Sequence, residues 1–554
     1  MRGNKISTFR ARLKICALIG ILPVLPIFAR LFYLQTIKHD NLSKTATKEF
    51  TGSISEVGPR GTIFDTNGNI LAESIITWDC SLMKNDIKNK EKVLSSLSKT
   101  LEIPKKKLEK KYKKGKNFIS IKKKLNKRIY EKLKKLELRG VIFDARQDRF
   151  FPNANLAKNI IGIAGDNKGV TGIEYLQNTA LSGTISKREI IRDAKGKIIY
   201  KNRLKKGNEP LNIHLTIDKN IQFFSHEVIK KYVKKTNAIF GMVIVQNPAN
   251  GNILSMVTYP QHISQIEPVQ WTYEPGSTFK TITLAAALEK NIVNLNDTFY
   301  CEKGKWQFSP RRIIHDHEPE GTLNISEIIE KSSNIGTAKL GMKLGVKNHY
   351  FFARAFGFGA KTGLGINGES SGIMIPMEKY KPINLAVTSY GHSISVTPIQ
   401  LIAAYSAIAN KGVLMQPKII KKITNFQKKD TFKSKPVKVR NVISPKTAKI
   451  VTEILKNVVE KGTGLSAQIE NYPIAGKTGT TKKLDPVTKQ YLTNINITSF
   501  CGFFPADKPQ YTMLVILDHP KRYVYASETA APAFRDLAKK IIVLKGIKPS
   551  KESE

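Results

Sequence analysis

The chain has 554 residues, which is too long for one ordinary hydrophobic core and predicts two or three folded units. Hydrophobic residues make up 41% and charged residues 24%, values that exclude a disordered chain. The net charge of +47 would suit a nucleic-acid binder, but lysine is spread along the whole chain without a zinc-finger, an aromatic RNA-binding motif or an isolated basic arm. We therefore expect no nucleic-acid partner, and interpret the charge as solvated lysine-rich faces, with contact to anionic wall or lipid polymers as a further contribution.

The first predicted element is a membrane anchor. Residues 15–29 are apolar, and 31–34 continue the run after Arg30, which together approach the roughly 20 apolar residues that cross a bilayer. Pro23 and Pro26 predict a kink, which membrane helices tolerate. Only basic charges precede the run, so the N-terminus is expected in the cytoplasm and the rest of the chain outside it. A cleaved signal peptide is the alternative, although the residues before Arg30 make a poor cleavage site.

The region from 36 to 210 mixes short β-like pieces with turn signals and a lysine-rich stretch. Asn67-Gly68 marks a tight turn between two strands. The stretch 104–137 carries Leu and Ile at helical intervals among its lysines, which predicts surface helices. A polyanion-binding patch and an ordinary solvated face both explain this stretch, and the solvated face is favoured.

From about residue 211 the pattern is that of a larger, well-packed domain. Short apolar runs at 242–245 and 512–517 suit buried strands. Helices are predicted for the apolar stretches at 278–288, 399–409, 448–459 and 533–543. Strands interleaved with helices, without a regular βαβ rhythm, predict an α+β fold with helices on both faces of an antiparallel sheet.

The cysteines and histidines give no sign of a metal site. No two cysteines are close enough for a CxxC motif, and a disulfide between two of them remains open: Cys16, Cys80, Cys301 and Cys501. His315 and His317 flank Asp316 in what we interpret as a solvated loop. We predict no catalytic metal and no cofactor.

The first of three chemical motifs is Ser-Thr-Phe-Lys at 277–280, after a Pro-Gly turn and at the start of a predicted helix. Residues three apart share a helix face, so Lys280 can lie beside the Ser277 hydroxyl. The helix N-terminus and burial both disfavour an ammonium ion, and a neutral amine can take the serine proton. The Ser277 N–H is also placed to hold a developing oxyanion. The same spacing recurs at 81–84, 96–99 and 120–123, so only the turn and the helix single out Ser277.

The second motif is Ser332-Ser333-Asn334. A helix cap or a turn explains these residue types without any catalytic role. In the functional interpretation, the Ser332 hydroxyl relays protons to the leaving group or from the acceptor amine. Asn334 then contacts the substrate amide and Lys280.

The third motif is Lys-Thr-Gly-Thr at 477–480, after a strand-like stretch. On an edge strand beside the nucleophile, Thr478 and Thr480 point the same way and can grip a substrate carboxylate. Lys477 adds a positive charge that keeps Lys280 neutral. Gly479 lets a substrate backbone approach closely and pair as an added strand.

Each motif is weak alone, but the three in this order resemble the set of penicillin-binding proteins and serine β-lactamases. The chain is similar to class B penicillin-binding proteins over nearly its whole length. The further matching stretches lie at 30–35, 60–65, 172–175, 216–218, 396–400 and 502–506. The implied organisation is a cytoplasmic tail at 1–12, a transmembrane anchor at 13–35, an elongated mixed α/β pedestal (dimerisation-like) at 36–210, an α+β transpeptidase domain at 211–546 and a tail at 547–554.

The resemblance implies a serine D,D-transpeptidase that cross-links peptidoglycan. Ser277 attacks a donor stem peptide ending in D-Ala-D-Ala, D-Ala leaves, and the amine of a neighbouring stem takes the acyl group. The implied catalytic residues are Ser277, Lys280, Ser332, Asn334 and Lys477, and the substrate-binding residues are Thr478, Gly479 and Thr480. Penicillins and other β-lactams are expected to bind at the same serine. A polytopic glycosyltransferase and other wall-synthesis membrane proteins are the implied partners.

Within the family, the moderate length and the stretches 477–491 and 498–503 resemble the division-specific member, which implies septal wall synthesis. The elongation-specific member is the alternative. A penicillin-hydrolysing or penicillin-sensing relative needs a poised base for water, which we do not identify, and the intact motifs disfavour an inactive wall-binding scaffold. Three departures stand out: a short link between Pro260 and Tyr273, residues 527–529 where a glycine pair is common, and His392 where another polar or aromatic residue is more usual.

Overall fold

The computed structural model describes residues 3–56, 59–153, 156–165, 168–183, 186–192, 198–205, 208–261, 265–485, 488 and 490–550. Parts of the two predicted tails, residues 1–2 and 551–554, lie outside this range. The α-helices, in chain order, are α1 Gly3–Ile21, α2 Val24–Phe32, α3 His39–Phe50, α4 Lys90–Leu101, α5 Lys105–Lys114, α6 Lys127–Lys134, α7 Lys158–Ile161, α8 Gly172–Leu176, α9 Asn178–Ser182, α10 Lys219–Thr236, α11 Glu267–Gln270, α12 Lys280–Glu289, α13 Ile325–Glu330, α14 Asn334–Leu344, α15 Val346–Ala355, α16 Pro382–Ser389, α17 Pro398–Ala409, α18 Pro445–Glu460 and α19 Ala530–Lys545.

The strands, in chain order, are β1 Thr51–Glu56, β2 Ile63–Phe64, β3 Ile70–Met83, β4 Phe118–Leu125, β5 Val141–Phe150, β6 Ala164–Gly165, β7 Lys168–Gly169, β8 Ser186–Arg192, β9 Ile198–Lys205, β10 Asn212–Leu215, β11 Phe240–Gln246, β12 Ile253–Tyr259, β13 Thr298–Tyr300, β14 Lys305–Ser309, β15 Arg312–His315, β16 Thr322–Asn324, β17 Val413–Met415, β18 Ile420–Thr424, β19 Asp430–Lys433, β20 Lys438–Asn441, β21 Ala475–Leu484, β22 Tyr491–Phe504 and β23 Tyr511–Asp518.

The chain divides into two compact units, one formed by residues 1–58 with 183–209 and the other by 59–182 with 210–554. The first unit contains an apolar helical stretch, Thr8–Ile37, whose mean hydropathy of 2.3 and length suffice to cross a membrane. The stretch is interrupted where predicted, because α1 ends at Ile21 and α2 begins after Pro23. The same unit contains an antiparallel sheet in the order β1-β8-β9.

In the second unit, one sheet has the strand order β19-β18-β10-β2-β3-β4, with β5 paired to β3. The predicted Asn67-Gly68 turn connects β2 to β3, and Gly68 takes a positive φ of 88° there. Helices α4, α5 and α6 cover part of this sheet through a small core of leucines and isoleucines. Strands from 63–150 thus share a sheet with β18, which lies more than 250 residues further along the chain.

The lysine-rich stretch 104–137 differs from its prediction in one element. Helices α5 and α6 form as expected, but β4 lies between them. Its first residues alternate between exposed Phe118 and Ser120 and buried Ile119 and Ile121, which is the period of a strand. Pairing with β3 therefore outweighed the helical propensity of the lysines that follow.

The five-stranded antiparallel sheet of the second unit has the order β12-β11-β23-β22-β21 and contains both predicted buried strands. Alternate residues of β11 face two different cores: Met242 and Ile244 pack into one, and Val243 and Val245 into the other. Burial on both faces explains why this strand has a continuous apolar sequence. Helices α12 and α17 contribute to the first core and α10 and α19 to the second, which confirms the predicted α+β arrangement.

Candidate active site

The candidate nucleophile lies in a single helical turn that runs directly into α12. This turn, Gly276–Phe279, is a 3₁₀ turn, and Ser277 is half-buried in it. Gly276 takes a φ of +54°, and a Cβ there would come within 3.2 Å of Thr481 on β21. The Gly276 N–H donates to the Gly391 carbonyl at 3.1 Å, and the Thr278 carbonyl accepts from the buried Tyr405 hydroxyl at 2.8 Å. These contacts fix the turn against two neighbouring segments.

Lys280 is the buried amine of the site. Its side chain is fully buried, and its Nζ donates to the Ser332 carbonyl at 2.5 Å and to Ser332 Oγ at 3.2 Å. Burial lowers the pKa of Lys280 to about 7, although Asp316 and Cys301 oppose the shift. A neutral amine is therefore accessible near neutral pH, as predicted. Within the described part of the chain, no hydrogen bond joins Lys280 Nζ to the Ser277 hydroxyl, so the amine bonds to Ser332 in this geometry.

Ser332 is positioned by the way helix α13 ends. The Ser333 N–H donates to the Ile328 carbonyl at 2.9 Å, and the Ser332 N–H to the Ile329 carbonyl at 3.2 Å. This is a Schellman motif, with Ser332 in the left-handed position that glycine usually occupies. Ser332 has a φ of +61°, a conformation that costs a non-glycine residue roughly 1–2 kcal/mol. The motif turns both the carbonyl and the hydroxyl of Ser332 towards Lys280.

Asn334 begins helix α14 rather than contacting Lys280. Its side-chain Nδ2 donates to the His315 carbonyl at 2.8 Å, and no hydrogen bond reaches Lys280 among the described residues. The sequence suggests a solvated loop around Asp316, but its carboxylate accepts from Ser333 Oγ at 2.5 Å and from the Asn334 and Ile335 N–H groups at 2.5 and 2.9 Å. An acid at a helix N-terminus pairs with the free N–H groups there. Asp316 thus holds the second motif in place.

Lys477 lies on β21, which is the edge strand of the five-stranded sheet, as predicted. Its fully buried amine donates to Ser332 Oγ at 2.9 Å, so Lys280 and Lys477 share one hydroxyl. Burial, together with the neighbouring Lys280, holds the pKa of Lys477 well below its usual value. Both effects disfavour the positive charge that the sequence predicts on Lys477, since two buried amines this close repel a second proton.

The remaining residues of the third motif line the same strand. The Thr478 hydroxyl pairs with Thr463 Oγ1 at 2.7 Å and accepts from Lys477 Nζ at 3.3 Å, while Thr480 Oγ1 accepts from the Ala526 N–H at 3.2 Å. At Gly479, a Cβ would lie 2.6 Å from Ser499 Oγ and 3.1 Å from the Pro275 carbonyl. The glycine is thus required for the close packing of β21 on the nucleophile turn, a reason that differs from the substrate approach predicted for it.

A cluster that the motifs do not include adjoins the nucleophile turn. Glu274 is largely buried, and its carboxylate accepts from the Ser393 N–H at 2.8 Å and from the Tyr491 hydroxyl at 2.9 Å. His392 Nδ1 lies 3.0 Å from the same carboxylate. The cluster joins the turn before Ser277, the loop after α16 and the start of β22. In the sequence, only the unusual His392 pointed to this cluster. The residues next to Glu274 give no sign that Ser393 and Tyr491 are its partners.

The geometry brings the three motifs together around one hydroxyl. Ser277 on its turn, Lys280 at the start of α12, Ser332 after α13 and Lys477 on β21 belong to separate segments, and two buried amines converge on Ser332 Oγ. A hydroxyl between two amines can pass a proton from one nitrogen to the other. A partly accessible serine hydroxyl beside a buried base of low pKa is the arrangement of nucleophilic catalysis through a covalent intermediate. No group of three or more metal-binding side chains occurs in the part of the chain that the structure describes.

Two family models match the chain. The penicillin binding protein transpeptidase domain covers residues 241–539, which is more than half of the chain. The penicillin-binding protein dimerisation domain covers residues 55–215.

Curated relatives match over nearly the full length. Stage V sporulation protein D of Bacillus subtilis is 32% identical over 100% of this chain and 88% of the relative. Peptidoglycan D,D-transpeptidase FtsI of Buchnera aphidicola subsp. Schizaphis graminum is 30% identical over 97% of this chain and 95% of the relative.

Solved structures share the fold. A peptidoglycan synthetase from Bifidobacterium adolescentis superposes with a TM-score of 0.73 at 23% identity, over 91% of this chain and 98% of that one. Penicillin Binding Protein 2X from Streptococcus thermophilus gives a TM-score of 0.73 at 24% identity, over 91% and 83%. With the dimerisation and transpeptidase domains and an N-terminal apolar helix long enough to cross a membrane, the chain belongs to the class B penicillin-binding proteins, which are peptidoglycan D,D-transpeptidases.

Proposed function

We propose that this D,D-transpeptidase works through an acyl-enzyme on Ser277 and acts in septal wall synthesis during cell division. The observation that carries the residue assignment is the convergence of the Lys280 and Lys477 amines on Ser332 Oγ, beside the turn that presents Ser277. The resemblance to the division-specific member and the FtsI relative at 30% identity support the septal role.

In the acylation step, the Ser277 hydroxyl attacks the carbonyl of the penultimate D-Ala of a donor stem peptide. The neutral Lys280 amine accepts the serine proton, and the Ser277 N–H donates to the oxyanion that forms. The peptide bond then breaks, and the proton passes through the Ser332 hydroxyl to the departing D-Ala nitrogen. This path requires a neutral Lys280, which the lowered pKa of that amine favours.

In the second step, the amine of a neighbouring stem peptide attacks the acyl-enzyme and Ser277 leaves with a proton. Ser332 takes the proton of the incoming amine and returns it through Lys280 to the serine oxygen. We assign Asn334 to the donor amide and Thr478 and Thr480 to the terminal carboxylate, with Gly479 keeping β21 against the nucleophile turn. The open edge of β21 lets an extended donor pair with it as an added strand.

A fluorescent penicillin followed by peptide mapping tests the nucleophile. We expect the label on the peptide that contains Ser277, and none on a Ser277→Ala variant of equal thermal stability. Slow loss of the label distinguishes a transpeptidase from a penicillin-hydrolysing relative, whose acyl group is released rapidly. A label on any other serine would refute the assignment of Ser277.

The septal role is tested by imaging a fluorescent fusion in growing cells. Rings at midcell support division, whereas lateral patches would favour the elongation-specific alternative. Cross-linking and growth in cells depleted of the wild-type copy supply the second measurement. If Ser277→Ala left both unchanged, the chain would be an inactive wall-binding scaffold instead.

The proposed domain organisation follows the sequence: cytoplasmic tail 1–12, anchor 13–35, pedestal 36–210, transpeptidase domain 211–546 and tail 547–554. The family models at 55–215 and 241–539 support a pedestal followed by a transpeptidase domain. We propose that the N-terminus is cytoplasmic and that the rest is exported, because only basic charges precede the apolar stretch. Protease digestion of spheroplasts tests this orientation: an N-terminal tag should survive while the transpeptidase domain is degraded.

We also propose a polytopic glycosyltransferase and other wall-synthesis membrane proteins as partners of the anchor and pedestal. The resemblance to class B members, which work without a glycosyltransferase region of their own, implies a neighbour that supplies glycan strands. Crosslinking from the anchor in living cells, followed by identification of the captured proteins, tests this partner. Capture of no glycosyltransferase from any anchor position would contradict it.

A further inference from the structure

Helix α5 carries four lysines on one face, Lys107, Lys110, Lys111 and Lys114, which we call the lysine stripe. Their spacing of three, four and seven residues places them on adjoining turns of the same side of the helix. The other side of α5 faces the protein, where Leu108 is buried in the small core and Tyr112 packs against it. The four stripe residues are themselves exposed.

The stripe borders a recess between α5 and β4. The recess has a volume of about 460 Å³ and is lined by the four lysines together with Gly115, Ile119 and Ser120. Lys111 Nζ donates to the Ile121 carbonyl at 3.1 Å and to the Ser120 carbonyl at 3.4 Å, which anchors one ammonium group at the junction of helix and strand. The stripe therefore borders a defined recess, and one of its ammonium groups is held in a fixed position.

The stripe lysines lack acidic partners among the described residues. No stripe lysine forms an ion pair in the described parts of the structure, and the nearby Glu91 pairs with Lys105 instead. Like charges three or four residues apart on a helix destabilise it by about 0.2–0.5 kcal/mol per pair, and the stripe contains four such pairs. An anion bound along the stripe would remove this repulsion.

A general excess of lysine is the competing explanation, and other helices of the chain show how it usually appears. On α10, Lys231 pairs with Asp536, and on α18, Lys456 pairs with Glu453 and Asp507. The segment 104–137 differs, since it contains sixteen basic and three acidic residues. Exposed lysines without an ion pair also occur on other described helices, such as Lys234 on α10, so what distinguishes the stripe is that four of them line one recess.

We propose that the lysine stripe and its recess bind an extended polyanion that carries phosphodiester groups. Ammonium groups bind phosphate as point charges without a fixed geometry, which suits a flexible polymer. The stripe spans seven helical steps, or about 10 Å, which is longer than a single phosphate group. The exposed Ser120 hydroxyl adds a donor beside the charges. This binding does not depend on acylation of Ser277.

The test uses the full chain in detergent and poly(glycerol phosphate) as the probe, with binding measured across a range of salt concentrations. The variant replaces the four stripe lysines by glutamine. The matched control replaces four other exposed helical lysines by glutamine: Lys234, Lys446, Lys449 and Lys539. Labelling of Ser277 by a fluorescent penicillin should be the same in both variants, which shows that each is folded.

We expect the stripe variant to bind roughly tenfold more weakly or worse at low salt, with the slope of log affinity against log salt reduced by about 0.7 for each lysine removed. The control variant should bind like the wild type. Equal loss in both variants would mean that net charge alone binds the polymer and would overturn the proposal. Failure of the wild type to bind the polymer, with stripe-dependent binding to vesicles of anionic lipid, would overturn it in favour of a membrane surface.

Discussion

At the scale of single residues, the site depends on a serine in a position that favours glycine. Ser332 occupies the left-handed residue of the motif that ends α13, and its hydroxyl is the acceptor for both buried amines. Backbone strain of this kind persists where the side chain is needed. Substitutions at Ser332 can therefore separate the effect of the left-handed backbone on stability from the effect of the hydroxyl on acylation.

Replacing Ser332 by glycine and by alanine separates the two effects. Both variants lose the hydroxyl, so we expect acylation by penicillin to fall by about 10²-fold or more in each. Only glycine relieves the left-handed strain, so Ser332→Gly should be more stable than Ser332→Ala by about 1 kcal/mol. Thermal unfolding and acylation kinetics check this; equal stability of the two variants, or wild-type acylation in either, would contradict it.

The pKa of Lys280 predicts the pH dependence of acylation. The amine accepts a proton only when it is neutral, and burial lowers its pKa to about 7. Acylation at limiting penicillin should therefore rise with pH through about 7, where an unburied lysine would require pH above 10.

The lowered pKa of Lys280 also predicts how the free energy of unfolding changes with pH. The native pKa of Lys280 is below the unfolded value, so between about 7 and 10.5 the unfolded chain binds the additional proton and this group makes stability rise with pH. Unfolding measured over the same pH range is thus the control for the kinetic experiment. Acylation that stays constant or falls as the pH passes through 7 would exclude Lys280 as the base.

At the scale of elements, the packing of β21 on the nucleophile turn sets the distance between the motifs. Gly276 and Gly391 lie in contact on one side of the turn, and Gly479 lies against the Pro275 carbonyl on the other. A Cβ at Gly391 would lie 2.1 Å from the Gly276 carbonyl oxygen, and one at Gly479 would crowd the Ser499 and Thr278 side chains, so both positions favour glycine.

A methyl group at Gly479 should push β21 away from the turn. Its Cβ would lie 2.6 Å from Ser499 Oγ and 3.0 Å from Thr278 Cγ2, and overpacking of this kind costs about 1–3 kcal/mol. We expect Gly479→Ala to lose that stability and to acylate about tenfold more slowly or worse, because a shift of 1 Å near reacting atoms has large effects.

Gly321→Ala is the matched control, since a methyl group at that position would have nothing within 4 Å of it. It should leave both unfolding and penicillin labelling unchanged. If Gly479→Ala behaved in the same way, the close packing of β21 would be irrelevant to the site.

At the scale of the whole molecule, a buried ion network ties together the N-terminal part of the second unit. Glu174 is fully buried and accepts from Arg60 at 2.7 Å and from Arg149 at 2.6 Å. Arg60 and Glu174 belong to the two stretches that resemble pedestal signatures of the family, and they are 114 residues apart. The network explains why both stretches belong to one structural unit.

Neutralising Glu174 should destabilise this unit strongly. Glu174→Gln removes the carboxylate with which both buried guanidinium groups pair, and breaking a buried pair costs about 3–5 kcal/mol. The exposed pair of Glu131 with Lys127 is the control, and Glu131→Gln should change stability by less than about 0.5 kcal/mol. The free energy of unfolding of both variants checks this. A loss in Glu174→Gln no larger than the loss in Glu131→Gln would show that the buried network adds no stability.

The sequence by itself determined the elements and the candidate nucleophile, because those signals are local. Short apolar runs predicted β11 and β23, and longer apolar stretches predicted α17, α18 and α19. A Pro-Gly turn before a helix distinguished Ser277 from three equally spaced decoys. The order of the three motifs then indicated the family. The misjudged segment, β4, was one where pairing with a distant strand outweighed local propensity.

Only the tertiary structure decided how the site is charged and held together. The protonation of Lys477 depends on burial by residues from many segments and on the neighbouring Lys280, and both lower its pKa. The bonds of Asp316 to α14 and of Glu274 to Tyr491 join positions 18 to 217 residues apart. Desolvation and hydrogen-bond geometry are sums over neighbours in space, and no spacing along the chain encodes them.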